Sequence, residues 1–116
     1  MTSPTARTLA AFRSLGFTSQ VVERFCPFSK RRVDLFGIGD VLAVCEGVGV
    51  LLVQATSGTN HAARRTKALA EPRLREWLAS GGRFEIVSWT KAGARGKRKT
   101  WQMRREEIVL EQLGTE

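Results

Sequence analysis

Two apolar stretches of this chain each carry a polar side chain where a buried strand would not ordinarily hold one. Residues 33–44 read Val-Asp-Leu-Phe-Gly-Ile-Gly-Asp-Val-Leu-Ala-Val, and residues 49–57, after a glycine-containing turn, read Gly-Val-Leu-Leu-Val-Gln-Ala-Thr-Ser. Paired as neighbours, the two strands bring Asp40, at the start of the first apolar run, beside Gln54, near the end of the second. Oxygen ligands gathered at one sheet end are what a divalent cation requires. Asp40 offers a carboxylate, Gln54 a neutral amide oxygen and Ala55 a main-chain carbonyl. Cutting a phosphodiester with such an ion also takes a water beside it and a cation against the developing charge. Gly37 and Gly39 precede Asp40, and their lack of side chains would let a phosphate backbone approach closely.

The elements that must position these groups are legible in outline. Residues 5–15 place Leu9, Phe12 and Leu15 at helical spacing, with Gly16 as the C-terminal cap. Residues 20–25 are rich in strand formers and are stopped by Pro27, which predicts a first strand near an edge, followed by a basic connector over 29–32. Residues 41–44 and 48–53 are apolar runs too short for helices and suit central strands covered on both faces. Turn and cap residues over 57–60 lead into a helical pattern over 61–80 that breaks near Pro72. Residues 83–89 alternate polar and apolar, the period of a strand with one wet face, and 101–103 return as its hairpin partner. Residues 91–99 form a flexible basic tip between them, and 104–113 finish as strand or short helix. One α/β domain over 1–116 is expected, with residues 1–4 flexible.

Charge then narrows the partner. Nineteen Lys and Arg against eleven Asp and Glu give a net charge of +8, and the sequence pI is about 10.8, so nucleic acid is the first candidate. The cations cluster. Lys30, Arg31 and Arg32 precede the glycine-rich hook, Arg64, Arg65 and Lys67 follow the second strand, and Lys91, Arg95, Lys97, Arg98 and Lys99 occupy the late hairpin. Such groups neutralise phosphates without reading sequence. Trp89 and Trp101 are expected as a cross-strand pair rather than a platform for bases, and His61 as a surface residue or helix cap rather than a general base. Cys26 and Cys45 have no metal-ligand or disulfide spacing, no apolar leader opens the chain, and the longest apolar run is far too short for a bilayer. A reducing cytoplasm without membrane attachment is the expected setting.

With those residues in view, the chain resembles the PD-(D/E)xK nuclease superfamily, most closely the small Holliday junction resolvase-like members. The resemblance covers roughly residues 5–90 and rests on the element order α-β-β-β-α-β and on a strand-opening acid followed, after a hairpin, by the end of an E-x-K strand. It implies a restriction-endonuclease-like core, a mixed central sheet flanked by helices with a C-terminal basic hairpin. It also implies Mg²⁺ or Mn²⁺ as cofactor, branched or double-stranded DNA as partner, and a homodimer. Asp40 falls at the motif acid, Gln54 at the Glu position and Thr56 at the Lys position. Gln for Glu removes one negative charge, and Thr for Lys removes the cation, for which Lys67, or failing it Arg64 or Arg65, would substitute. The first helix holds no acid, so Glu23 on the first strand or Asp34 in the hook would complete the ligand set. The resemblance implies a metal-dependent, structure-selective endonuclease. A DNA-binding protein that keeps the fold without catalysis is the alternative, and an RNA-binding or protein-interaction domain using the basic hairpin is a third class.

Overall fold

The computed structural model describes residues 2–113 and turns the apolar runs into the centre of a five-stranded mixed sheet. Strands β1 (Thr18–Val21), β4 (Val41–Cys45) and β5 (Gly49–Ser57) are successively antiparallel, β5 runs parallel to β6 (Arg83–Ala92), and β7 (Thr100–Ile108) returns antiparallel to β6. A parallel pair needs a long crossover, supplied here by helices α2 (His61–Ala70) and α3 (Pro72–Ala79). Helix α1 (Pro4–Ser14) comes first. Strands β2 (Arg24–Cys26) and β3 (Arg31–Val33) form a separate two-stranded sheet inserted between β1 and β4.

Both sheet faces are covered, which is why the central strands read as continuous apolar runs. On one side Phe12 and Leu9 of α1 pack over Val41, Ala43, Leu51, Val53 and Val87. On the other, Ala68 of α2 and Leu74 of α3 pack over Leu52, Phe84, Ile86 and Ile108. Successive residues of β5 thus serve opposite layers, as the period of two demands. Each such side chain removed fully from water contributes roughly 1.5–3 kcal/mol before entropy is charged.

Local chemistry sets the element ends. Residues 3 and 4, expected to be flexible, instead begin α1: the Ser3 hydroxyl accepts from Ala6 N at 3.1 Å and Pro4 sits at the first position. The crossover breaks at Glu71, which is extended (φ −88°, ψ 116°) because the following Pro72 crowds the helical region. The Glu71 carboxylate then caps α3 by accepting from Arg73 N at 3.1 Å. Where α3 meets β6, Trp77 Nε1 donates to Arg83 O at 2.8 Å and its ring lies over Gly82, where a Cβ would come within 2.4 Å of the indole.

Three expectations are corrected. Residues 20–25 are not one strand: β1 ends at Val21, and the chain leaves the main sheet to start β2 at Arg24. Strand β6 has no wet face over its first half, since Glu85 (6 % exposed) and Ser88 (2 %) are as buried as their apolar neighbours. Trp89 and Trp101 do not face each other, because the register sets Trp89 against Met103 and Trp101 against Lys91. Trp89 instead donates from Nε1 to Thr8 Oγ1 at 2.9 Å, while Trp101 carries the Arg7 guanidinium 3.9 Å from its ring centroid.

Glu85 is tolerated because Arg105 grips it with two bonds, 2.7 and 2.8 Å, and the guanidinium also lies 4.8 Å from the Phe12 ring centroid. Removing the cation strands a buried carboxylate. Arg105→Met should therefore lower the urea-unfolding free energy by about 2–4 kcal/mol, with the Glu85→Leu/Arg105→Met pair recovering most of the loss. Equal destabilisation in the single and double variants would contradict this role.

Candidate functional site

Asp40 is fixed before its side chain is considered. Its N–H donates to Val53 O at 2.9 Å and its carbonyl accepts from Val22 N at 2.8 Å, extending both ladders by one residue. That register sets it opposite Gln54. Asp40 is 3 % exposed; its Oδ1 accepts from Ala55 N at 3.0 Å and its Oδ2 from the Thr5 hydroxyl at 2.8 Å. Thr5 lies in the first turn of α1, whose partial positive end also favours an anion there.

Two further carboxylates reach the same point. Glu23, Asp34 and Asp40 each place an oxygen within 4.8 Å of the other two. Glu23 is not on the first strand as expected; it occupies the break between β1 and β2, where the chain turns into the inserted hairpin and Arg32 Nη1 donates to it at 2.9 Å. Asp34 enters from the hook. That segment turns at Phe36 and Gly37, both at positive φ (55° and 72°), with Ile38 N donating to Leu35 O at 3.0 Å. Gly39 does not open a path for a phosphate: a Cβ there would lie 2.5 Å from Leu52 Cγ, so the glycine lets the hook press onto β5.

The β5 residues close the site from below. Gln54 is satisfied when Nε2 donates to Ile38 O at 3.1 Å and to Asp34 Oδ2 at 3.0 Å. Its Oε1 then lies 3.5 Å from Ala55 O. In an extended strand a residue's N–H and C=O point to the same side, so Ala55 O is turned toward the edge where its N–H meets Asp40. Thr56 is 5 % exposed and lines the same cleft of about 770 Å³, together with Arg31, Arg32, Arg64 and Lys67.

The electrostatics follow from this crowding. Burial pushes the Asp40 carboxyl up to about 6; the Ala55 N–H and Thr5 hydroxyl oppose the shift, while Asp34 and Glu23 add to it. Burial, then the Glu23 charge, also raises Asp34, against the pull of Lys67, Arg64 and the Gln54 amide. Hard oxygen donors, net negative charge and partial burial together fit a divalent cation.

The remaining cations divide. Arg65 is drawn off to Glu106 at 2.8 Å, away from the acids. Lys30 is exposed at the turn of the inserted hairpin, and Lys91, Arg95, Lys97, Arg98 and Lys99 are all exposed. Strand β6 runs three residues beyond the Ser57–Trp89 pair, so the late tip projects from the sheet end that holds Asp40 and Gln54.

His61 is buried (2 %) rather than at the surface. Its Nδ1 meets Ser88 Oγ at 2.6 Å and its Nε2 meets Glu106 Oε1 at 2.8 Å. A carboxylate only accepts, so Nε2 carries the proton. Burial of Glu106 works against its charge, yet the bonds from His61 and Arg65 hold its carboxyl below the usual range. The trio resembles a hydrolase triad in residue types, but Ser88 is 2 % exposed and does not line the acidic cleft. It is a clamp joining α2 to β6 and β7. The sequence signals missed were the Ser-Pro-Thr start, which aims a hydroxyl at Asp40, and Ser88, a small polar residue between Val87 and Trp89 that meets a buried partner.

Because Asp40 has a raised value in the fold and about 3.9 in the unfolded chain, the folded state binds more protons between these limits. Stability therefore falls as pH rises from about 4 to 6 and stays lower above that, by roughly 2–3 kcal/mol. In chelator, Asp40→Asn should reduce this slope to the share that the raised Asp34 contributes and be the more stable protein at pH 7, since the Thr5 hydroxyl can accept from the new amide; parallel urea curves at pH 4.5 and 7.5 decide it. No protein-family model matches this chain, and no curated protein or solved structure matches it either.

Proposed function

We propose that this chain is a metal-dependent, structure-selective DNA endonuclease of the Holliday junction resolvase-like kind, built on a restriction-endonuclease-like core. The observation that carries the reading is the convergence of Asp40, Asp34 and Glu23 within 4.8 Å in a cleft also lined by Arg31, Arg32, Arg64 and Lys67. The topology supports it: one helix, three antiparallel strands of the main sheet, a helical crossover and a parallel fourth strand follow the α-β-β-β-α-β order.

Asp40, Asp34 and Glu23 would hold Mg²⁺ or Mn²⁺, with Gln54 Oε1 and Ala55 O as neutral donors. The ion, when bound, supplies Lewis-acid polarisation of the phosphate and a water of lowered pKa. The protein's own groups do the rest. Thr5 and the Ala55 N–H hold the Asp40 carboxylate in one orientation, and the Gln54 amide holds Asp34. Lys67 and Arg64 project from α2 into the cleft and offer the positive charge that Thr56 cannot place against the attacked phosphate. Arg31, which lines the cleft from β3, and the exposed cations of the late tip bind the flanking backbone without reading sequence. Cutting two strands of a junction symmetrically takes two such sites, supplied by a homodimer.

One observation favours a second reading, DNA binding without catalysis. Gln54 spends its N–H groups on Asp34 and brings no negative charge, so the site has one acid fewer than an E-x-K strand would give it. Cleavage separates the two. The protein should nick a labelled four-way junction with Mn²⁺; Asp40→Asn should abolish nicking and Lys67→Ala slow it by about 10²–10³-fold. Gln54→Glu should lower the metal concentration needed for half activity. Binding of the junction with no nicking in either metal would leave only the second reading.

A further inference from the structure

The inserted hairpin carries an apolar side chain that no packing explains. Its turn, Pro27 to Lys30, is closed by Lys30 N donating to Cys26 O at 2.8 Å, and it leaves the Phe28 ring 97 % exposed. Phe25 on β2 is 61 % exposed. A folded chain does not gain by holding a phenyl ring in water, and Pro27 before it stiffens the turn that does so.

The surroundings define what would cover it. Residues 23–33 hold four cations, Arg24, Lys30, Arg31 and Arg32, against one acid, Glu23, which is already paired with Arg32. An apolar protein surface would gain nothing from that ring of charge, and an anionic polymer would. The hairpin is also tied to the acidic cleft: Ser29, Arg31 and Arg32 line it, and the Glu23–Arg32 pair joins the hairpin to the acid cluster. A strand whose phosphates lie in the cleft therefore passes the hairpin turn. An aromatic ring flanked by phosphate-binding cations is the arrangement that stacks on an unpaired base, because every base has a π-face and needs no sequence match.

We propose that the β2–β3 hairpin is the element that recognises unpaired bases, with Phe28 stacking on a base splayed from the duplex while Lys30 and Arg31 hold the phosphates on either side. This rests on the nuclease-fold reading only for its choice of DNA. It gives that reading a physical source of structure selectivity: a fully paired duplex offers Phe28 no base face, whereas a gap, flap or open junction centre does.

The test is binding in chelator, where no cleavage can interfere. Fluorescence anisotropy compares a fully paired duplex with the same duplex carrying a three-nucleotide gap, using wild type, Phe28→Ala, Phe28→Trp and Arg31→Ala. Wild type should prefer the gapped DNA, and Phe28→Ala should lose about 10-fold on it with duplex affinity unchanged. Phe28→Trp should retain the preference. Arg31→Ala should weaken both and reduce the salt slope by about one. A 2-aminopurine in the gap should be quenched by wild type and not by Phe28→Ala. Equal affinities of Phe28→Ala and wild type for gapped DNA would overturn the proposal. So would a dimer in wild type that becomes monomeric in Phe28→Ala while DNA binding is unchanged, since the ring would then be covered by a second copy. Absence of nicking with Mn²⁺ would sink the endonuclease and leave this binding result standing.

Discussion

Everything at the cleft depends on keeping one carboxylate out of water. Asp40 is held by its main chain from both sides, to Val22 just past β1 and to Val53 of β5, and among the described residues its side chain has two donors, both neutral, Ala55 N and the Thr5 hydroxyl. Two such bonds do not offset the desolvation, as the raised carboxyl value records. Glu23 and Asp34 sharpen the deficit because like charges gathered within 4.8 Å disfavour one another's ionisation. The main-chain ladders and α1 must therefore supply the stability that the cluster consumes. A cation would reverse the sign, since the same crowding then becomes coordination.

The parts of this arrangement that were legible in the sequence are those that a period or a breaker announces. The antiparallel pairing of residues 41–45 with 49–53 follows from two apolar runs joined by a glycine turn, and it alone puts Asp40 across from Gln54. The break at Pro72 follows from the clash proline imposes on its predecessor. What escaped lacks such a signal. Residues 22–33 carry no clean alternation, so the departure of β2 and β3 from the main sheet, and with it the position of Glu23 beside Asp40, rests on tertiary contacts. Strand β6 looked half-wet because Glu85 and Ser88 are polar. They are buried at no cost visible in the sequence, being paired with Arg105 and His61, which come from elements read separately. The Trp pair failed for a simpler reason: register in a hairpin with a long tip cannot be counted from its tip.

The excess positive charge is also redistributed by the fold. Several arginines are spent inside the structure: Arg105 on Glu85, Arg83 on Glu107, Arg65 on Glu106, Arg73 on Glu71. These pairs return nothing to a long-range field. The cations with no ion pair among the described residues include Lys30 and Arg31 on the inserted hairpin, Arg64 and Lys67 on α2, and Arg95, Lys97, Arg98 and Lys99 on the late tip. Arg31, Arg64 and Lys67 thus leave unpaired positive charge lining the acidic cleft itself, which under the proposed function would draw in a polyanion and present it to carboxylates it would otherwise avoid.

Under the proposed function, a cation carried by a helix and not by a strand changes what must be rigid. A lysine at position 56 would inherit its place from β5, which is paired on both sides. Lys67 inherits its place from α2, a ten-residue helix too short to be stable by itself. Its first residue is where the fold compensates. His61 bridges Ser88 of β6 and Glu106 of β7, and Arg65, one turn later, takes the other Glu106 oxygen. Lys67 lies only about 9 Å along the axis from that clamp. The same helix buries Ala68 against the sheet, so its rotation is set as well as its origin. A buried histidine that does not line the acidic cleft thus governs where Lys67 stands, and under the proposed function the positive charge that Thr56 cannot supply is available only as far as this clamp holds α2 still.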